Sequence, residues 1–117
     1  PTGTKKPVYG IYEIDPNTKT AILCESCINA ITAWTWGYQA LALFGTGNTY
    51  QLEILKQLNI RNYVLCFDGD EAGRKATEKM KRWLQDIAFV DVIHMPEGKD
   101  LNDCTKEEFD TLYANRE

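Results

Sequence analysis

In the stretch Val64-Leu65-Cys66-Phe67-Asp68-Gly69-Asp70-Glu71-Ala72-Gly73-Arg74, an apolar strand runs directly into an acidic, glycine-punctuated turn and then into a charged helix. Two aspartates two residues apart, where a strand gives way to a loop, can turn their carboxylates the same way. Unpaired carboxylates that close repel one another, so each needs solvent, a proton or a cation. A hard divalent ion resolves the repulsion, and Mg²⁺ is characteristically held by one or two carboxylates together with waters and substrate phosphates. The stretch therefore points to phosphate chemistry at the end of a buried strand.

Working outward, the residues after the aspartates give the clearest helix. Ala72, Ala76, Met80, Trp83, Leu84 and Ile87 make one apolar stripe, and Arg74, Lys75, Lys79, Lys81 and Arg82 occupy the other surfaces. Upstream, Thr20 to Cys24 and Gln39 to Phe44 read as short, continuously apolar strands of the kind covered on both faces. Tyr63 to Phe67 is a third such strand, and Phe89 to Met95 a fourth. Between them, Cys27, Ile28, Ala30, Ile31, Ala33 and Trp34 keep helical spacing up to Gly37, and Leu52, Leu55 and Leu58 mark another helix. Thr105-Lys106-Glu107-Glu108 has the form of a capping box that opens a last helix. Val8 to Ile14 and Thr20 to Cys24, on either side of Asp15-Pro16-Asn17-Thr18-Lys19, predict an N-terminal β-hairpin.

This alternation predicts an α/β fold, a mainly parallel sheet of about four strands flanked by helices. In open sheets of this kind ligands bind beyond the carboxyl ends of the strands. Glu25, Gly45, Asp68 and Asp70 all follow strand ends.

At 117 residues the chain is a single domain. No apolar run approaches the length of a membrane span and no secretory signal opens the chain, so a cytoplasmic protein without membrane partners is expected. It begins at Pro1 rather than Met, which reads as a fragment of a longer protein. A net charge of −4 argues against an independent strong grip on nucleic acid, although bound metal supplies positive charge to an acidic phosphate-handling site. The four cysteines, Cys24, Cys27, Cys66 and Cys104, contain one Cys-x-x-Cys but no second pair, so reduced thiols rather than zinc are expected.

These residues carry a resemblance. Ala21-Ile22-Leu23-Cys24-Glu25, Leu43-Phe44-Gly45-Thr46-Gly47, Phe67-Asp68-Gly69-Asp70 with Ala72-Gly73-Arg74, and Gly98-Lys99-Asp100 together resemble the Toprim domain of bacterial DnaG-type DNA primases, in a phage- or mobile-element-like form. The resemblance spans about Tyr9 to Asp103. It implies a Toprim, Rossmann-like fold, with residues 1–8 as a linker from a preceding basic domain. It implies Glu25 as general acid/base, Asp68, Asp70 and Asp100 as ligands of Mg²⁺ (or Mn²⁺), and Gly45, Thr46, Gly47, Arg74 and Lys75 as substrate or phosphate contacts. Asn29 stands where the family places an aspartate, and Asp103 lies one residue beyond the second aspartate that many primases carry after the lysine, in Asp100-Leu101-Asn102-Asp103. The first station departs from the family's Glu-Gly-x-x-Asp-Ala, with Ser26 for the glycine and Asn29 for the aspartate.

The activity implied is synthesis of short RNA primers on single-stranded DNA from ribonucleoside triphosphates. The partners implied are the rest of a primase chain and a replicative helicase. The alternatives are a Toprim nuclease or topoisomerase that cleaves phosphodiesters, and a non-catalytic Toprim interaction module. Topoisomerases typically continue the aspartate pair with arginine and glutamate, whereas Glu71-Ala72-Gly73-Arg74 follows here.

Overall fold

The structure is a computed structural model, and it describes residues 7–43 and 48–117. In chain order the elements are β1 (Thr20–Cys24), α1 (Cys27–Thr35), β2 (Ala40–Ala42), α2 (Thr49–Gln57), β3 (Asn62–Leu65), α3 (Glu71–Leu84), β4 (Phe89–Val92), a 3₁₀ turn (Leu101–Asp103) and α4 (Lys106–Ala114). The four strands form one sheet in the order β2-β1-β3-β4, and all three pairings are parallel. No helix among the described residues is long and apolar enough to cross a membrane.

Strand periodicity divides the core into two layers. Ala21, Leu23, Leu41, Tyr63 and Leu65 face one side of the sheet and pack with Leu55 of α2 and Ala76, Met80 and Leu84 of α3. Ile22, Cys24, Ala40, Ala42 and Val64 face the other, against Ala30 and Ala33 of α1, Leu101 of the 3₁₀ turn and Phe109 of α4. Both faces are thus covered, which explains why the strands read as continuous apolar runs rather than alternating ones. Buried Gln51 carries its amide into this core, donating to the carbonyls of Pro7 and Leu43 while its own carbonyl oxygen accepts from the Asn48 N–H.

The expected N-terminal β-hairpin does not form. Tyr9 makes a single antiparallel bridge to Ala42, and its N–H and C=O both pair with that residue. The chain then turns, with the N–H groups of Glu13 and Ile14 both donating to the Gly10 carbonyl. Ile11 and Ile14 pack on the core while Tyr12 is exposed. Spacing of three residues, the period of a helical turn, wins over the alternation that suggested a strand. Three strands also end earlier than expected: β2 at Ala42, β3 at Leu65 and β4 at Val92, which leaves His94 and Met95 in the loop after β4. Ala72 is exposed rather than part of the α3 stripe, whose buried members are Gly73, Ala76, Met80 and Leu84.

Candidate active site

The strand order creates the site. From β1 the chain moves outward to β2 on one side, and β3 lies against β1 on the other, so the space between the ends of β1 and β3 is the topological switch point of the sheet. Glu25 is the first residue after β1. Cys66 and Phe67 prolong β3 as buried backbone before the chain reaches Asp68. Across the switch point the Asp68 N–H donates to Glu25 Oε1 at 3.1 Å, which fixes the two acidic stations against each other.

Asp70 is the N-cap of α3: its Oδ1 accepts from the Gly73 N–H at 2.7 Å, leaving its second oxygen outside that bond. A cap of this kind satisfies one of the unpaired N–H groups that open a helix. The helix can begin so close to Asp68 because residue 73 is glycine; a Cβ there would lie 1.9 Å from the Asp68 carbonyl oxygen. Gly69 is under similar pressure, since its Cβ would meet the Pro96 carbonyl oxygen at 2.1 Å. Through this close approach the Gly69 N–H donates to the Lys99 carbonyl (2.8 Å) and the Gly98 N–H returns to the Gly69 carbonyl (2.7 Å). The two acidic loops are stitched together by backbone, and Asp100 is carried to the aspartate pair.

Asp100 and Asp103 cap the 3₁₀ turn reciprocally: Asp100 Oδ1 accepts from the Asp103 N–H (3.1 Å), and Asp103 Oδ2 accepts from the Asp100 N–H (3.0 Å). Asp68, Asp70, Asp100 and Asp103 wall one small cleft together with Lys99. Desolvation, followed by the charges of Glu25, Asp100, Asp70 and Asp103, pushes the Asp68 carboxyl up to about 6. Glu25 is raised mainly by desolvation and further by Asp70 and Asp100, against the lowering effect of its bond from Asp68. Asp100 is raised by desolvation and by Asp103, with its backbone hydrogen bonds working the other way. These carboxylates strain one another at neutral pH.

Among the described residues, no three His, Cys, Asp or Glu side chains close into a metal cage by themselves. A magnesium ion does not need one, because one or two carboxylates with waters and phosphates suffice. The donor set fits: hard oxygens, mutually repelling, with Asp68 and Asp70 at the centre. The cysteines are free thiols, with Cys24 and Cys66 buried in the core. Burial raises both thiols well above their ordinary range, as befits inert core residues.

Of the other residues singled out in the sequence, Arg74 reaches from α3 to Glu97 in the loop after β4 (2.9 Å). Lys75 pairs along the helix with Glu71 (3.2 Å), and both basic side chains are exposed. Gly45, Thr46 and Gly47 lie outside the described residues. Asn29 is buried and its Oδ1 has no hydrogen-bond partner. Ser26 is the N-cap of α1, with Oγ accepting from the Asn29 N–H at 3.3 Å. The clamping roles of Gly69 and Gly73 were missed in the sequence; the signal was two glycines flanking an acidic N-cap, a spacing that suits close backbone approach.

A family model described as Toprim-like matches residues 22–105. The chain belongs to the Toprim-like family. This Toprim-like chain is 32% identical over 103 residues to the DNA primase of Halalkalibacterium halodurans, a match covering 84% of the chain and 17% of that protein. It spans a fifth or less of the length of the curated primases it matches. A solved DNA primase domain from Pseudomonas aeruginosa superposes with a TM-score of 0.80 at 25% identity, over 99% of this chain and 40% of that one. A DnaG primase catalytic domain bound to single-stranded DNA shares the fold, with a TM-score of 0.73 at 22% identity, over 96% of this chain and 39% of that one. The fold and the DnaG-type resemblance read from the sequence are therefore those of the relatives.

Proposed function

We propose that this domain is the metal-binding catalytic core of a DNA primase, which joins ribonucleotides into short primers on single-stranded DNA. The observation that carries the reading is the convergence of Glu25, Asp68, Asp70 and Asp100 at the switch point of a parallel sheet. Asp68 and Asp70 would hold Mg²⁺ (or Mn²⁺), with Asp100 at the edge of the set. Bound there, the ion neutralises charge on the nucleotide phosphates and the departing pyrophosphate.

The chain's own residues supply the rest. Glu25, half-buried and raised by that burial from its ordinary value, takes the proton of the attacking ribose hydroxyl. The Asp68 N–H holds that carboxylate in place through Oε1. Asp70, fixed by the Gly73 N–H, presents its second oxygen without having to reorganise. Arg74, tethered to Glu97 at the mouth of the site, can exchange that exposed partner for a phosphate. Template and initiation contacts come from the remainder of a primase chain acting in the cytoplasm beside a replicative helicase.

The reading is tested by primer synthesis with the full-length parent, using ribonucleotides, Mg²⁺ and single-stranded template. Asp68→Asn, Asp70→Asn and Glu25→Gln are expected to abolish product. Undiminished synthesis by any of them removes that residue from the mechanism, and nicking of supercoiled DNA without nucleotides would replace primase with a cleaving Toprim enzyme.

A further inference from the structure

Among the described residues, two buried side-chain oxygens accept no hydrogen bond, Asn29 Oδ1 and Asn62 Oδ1. Asn62 stands at the start of β3, the opposite end of the strand from the acidic cleft, and its amide is held by donating to Asp91 Oδ2 at 3.2 Å. Asn29 is only 2% exposed and lies at the cleft end of the sheet. A buried acceptor left without a donor is costly, so this oxygen calls for a partner. Ser26 caps α1 directly after Glu25, which puts Asn29 in the first turn of the helix. Thr32, three residues on and so on the same side, donates to Asn102 Oδ1 at 2.7 Å. That side of α1 therefore rests on the 3₁₀ turn, which Asp100 caps.

Asn29 is thus placed between Glu25 and Asp100, two carboxylates near enough for the charge of one to act on the other. Carboxylates accept and do not donate. α1 contains no lysine or arginine, and the N–H of Asn29 itself already goes to Ser26 Oγ. We propose that Asn29 Oδ1 accepts a hydrogen bond from a water molecule of the divalent cation in the cleft, and so anchors the hydrated ion from the α1 side. Mg²⁺ sheds its waters reluctantly, so a site for it needs acceptors for those waters as well as direct ligands. An amide supplies one without adding a further negative charge to carboxylates that already repel one another. Asn29 is then a positioning residue, acting through the bound water, and it sets how tightly this chain holds its metal. That role rests on the cation reading of Asp68 and Asp70, but its readout is metal affinity rather than primer synthesis.

The test is Mn²⁺ binding by the 117-residue chain, followed through the free-ion electron paramagnetic resonance signal, with Mg²⁺ as competitor. Asn29→Leu, similar in shape but with no acceptor, should bind Mn²⁺ about tenfold more weakly, as expected when a hydrogen-bond partner behind a metal site is lost. In EDTA the same variant should melt higher than the wild type, because the orphaned oxygen has gone. Asn29→Asp should do the reverse: melt lower in EDTA, where it adds a buried negative charge, and bind Mn²⁺ about tenfold more tightly. A gain in affinity cannot come from a lost fold, so Asn29→Asp decides the matter if Asn29→Leu fails to fold. An Asn29→Leu affinity within twofold of the wild type, or an Asn29→Asp affinity no tighter than it, overturns the proposal and leaves Asn29 a structural residue. Asp68→Asn is the reference: if it abolishes binding while the Asn29 variants leave it unchanged, the cation site stands and only the part of Asn29 in it falls. A wild-type chain that binds no Mn²⁺ overturns both. The expected affinities in a parent that makes no primers would sink the primase reading and leave the role of Asn29 intact.

Discussion

The two ends of β1 and β3 obey opposite rules. Along the strands, Ile22, Leu23, Val64 and Leu65 are fully buried, and the strand pairing satisfies their backbone. One to five residues further on, Glu25, Asp68 and Asp70 gather carboxylates, and burial followed by this crowding of charge raises Glu25 and Asp68. The strands stabilise the fold and the acidic loops draw on that stability, the usual arrangement where a charged site is grafted onto a packed scaffold. Substitutions in the two regions should therefore separate: loss of activity with gained stability above, loss of stability with intact chemistry below.

The largest effect belongs to Asp68→Asn. Primer synthesis by the full-length parent should fall by about two orders of magnitude or more, as expected when an electrostatic element of a site is removed. The isolated chain, in metal-free buffer at pH 7.5, should melt at a higher temperature, since a repelling charge has gone. A lower melting temperature would break the contrast between the two regions. Met80→Ala is the counterpart below. Truncating this fully buried side chain should cost about 2–5 kcal/mol in denaturant unfolding, while the parent keeps its synthesis rate at a temperature where it remains folded.

Gly73→Ala falls between the regions. The added Cβ collides with the carbonyl of Asp68, so either α3 or the aspartate loop must shift, at a cost of about 1–3 kcal/mol. Unlike Met80→Ala, it should also weaken any Mg²⁺-dependent rise in melting temperature. A variant that loses stability but keeps the full magnesium effect would show that the helix, not Asp68, absorbs the strain.

The contrast can also be read by pH. Asp68 titrates at about 6 in the folded chain, above its ordinary value, so between about pH 4 and 6 the folded state binds more protons than the unfolded one. That contribution to stability is fully present at the acid end of the window and is lost as pH rises through 6. In EDTA the melting temperature should decline from pH 5 to pH 7; Asp68→Asn should flatten most of the decline, and Mg²⁺ should flatten it by taking the proton's place. Glu25 and Asp100, shifted the same way, account for the remainder.

How much of this was legible in the sequence depends on whether a residue's role is local. The strands and the stripe of Met80 and Leu84 could be read because burial on one face imposes a period on the chain. Glu25, Asp68 and Asp70 could be placed at one site because a parallel sheet aligns its strand ends. The turn at Gly10 could not: Val8 to Ile14 carries β-prone residues, and only packing of Ile11 and Ile14 on the distant core chooses the helical turn. Likewise, the clamp between Gly69 and Lys99 joins loops far apart in sequence, and the pairing of Arg74 with Glu97 follows from it.

Ser26 shows how a departure from the family's wording can leave the site unharmed. Where the Toprim pattern has glycine after its glutamate, this chain has a serine that caps α1 through the Asn29 N–H. Glycine and serine are both accepted at a helix N-cap, so the exchange preserves the entry angle of the helix and with it the place of Glu25. Ser26→Ala should cost about 1 kcal/mol in denaturant unfolding, and Ser26→Gly only a few tenths. Neither should alter the magnesium response of the melting temperature, because the capping bond runs to the Asn29 N–H within α1, whereas Glu25 is held separately by the Asp68 N–H. A Ser26→Gly variant whose magnesium response changes would instead make the serine part of the site, and its hydroxyl, rather than its backbone, the reason it stands there.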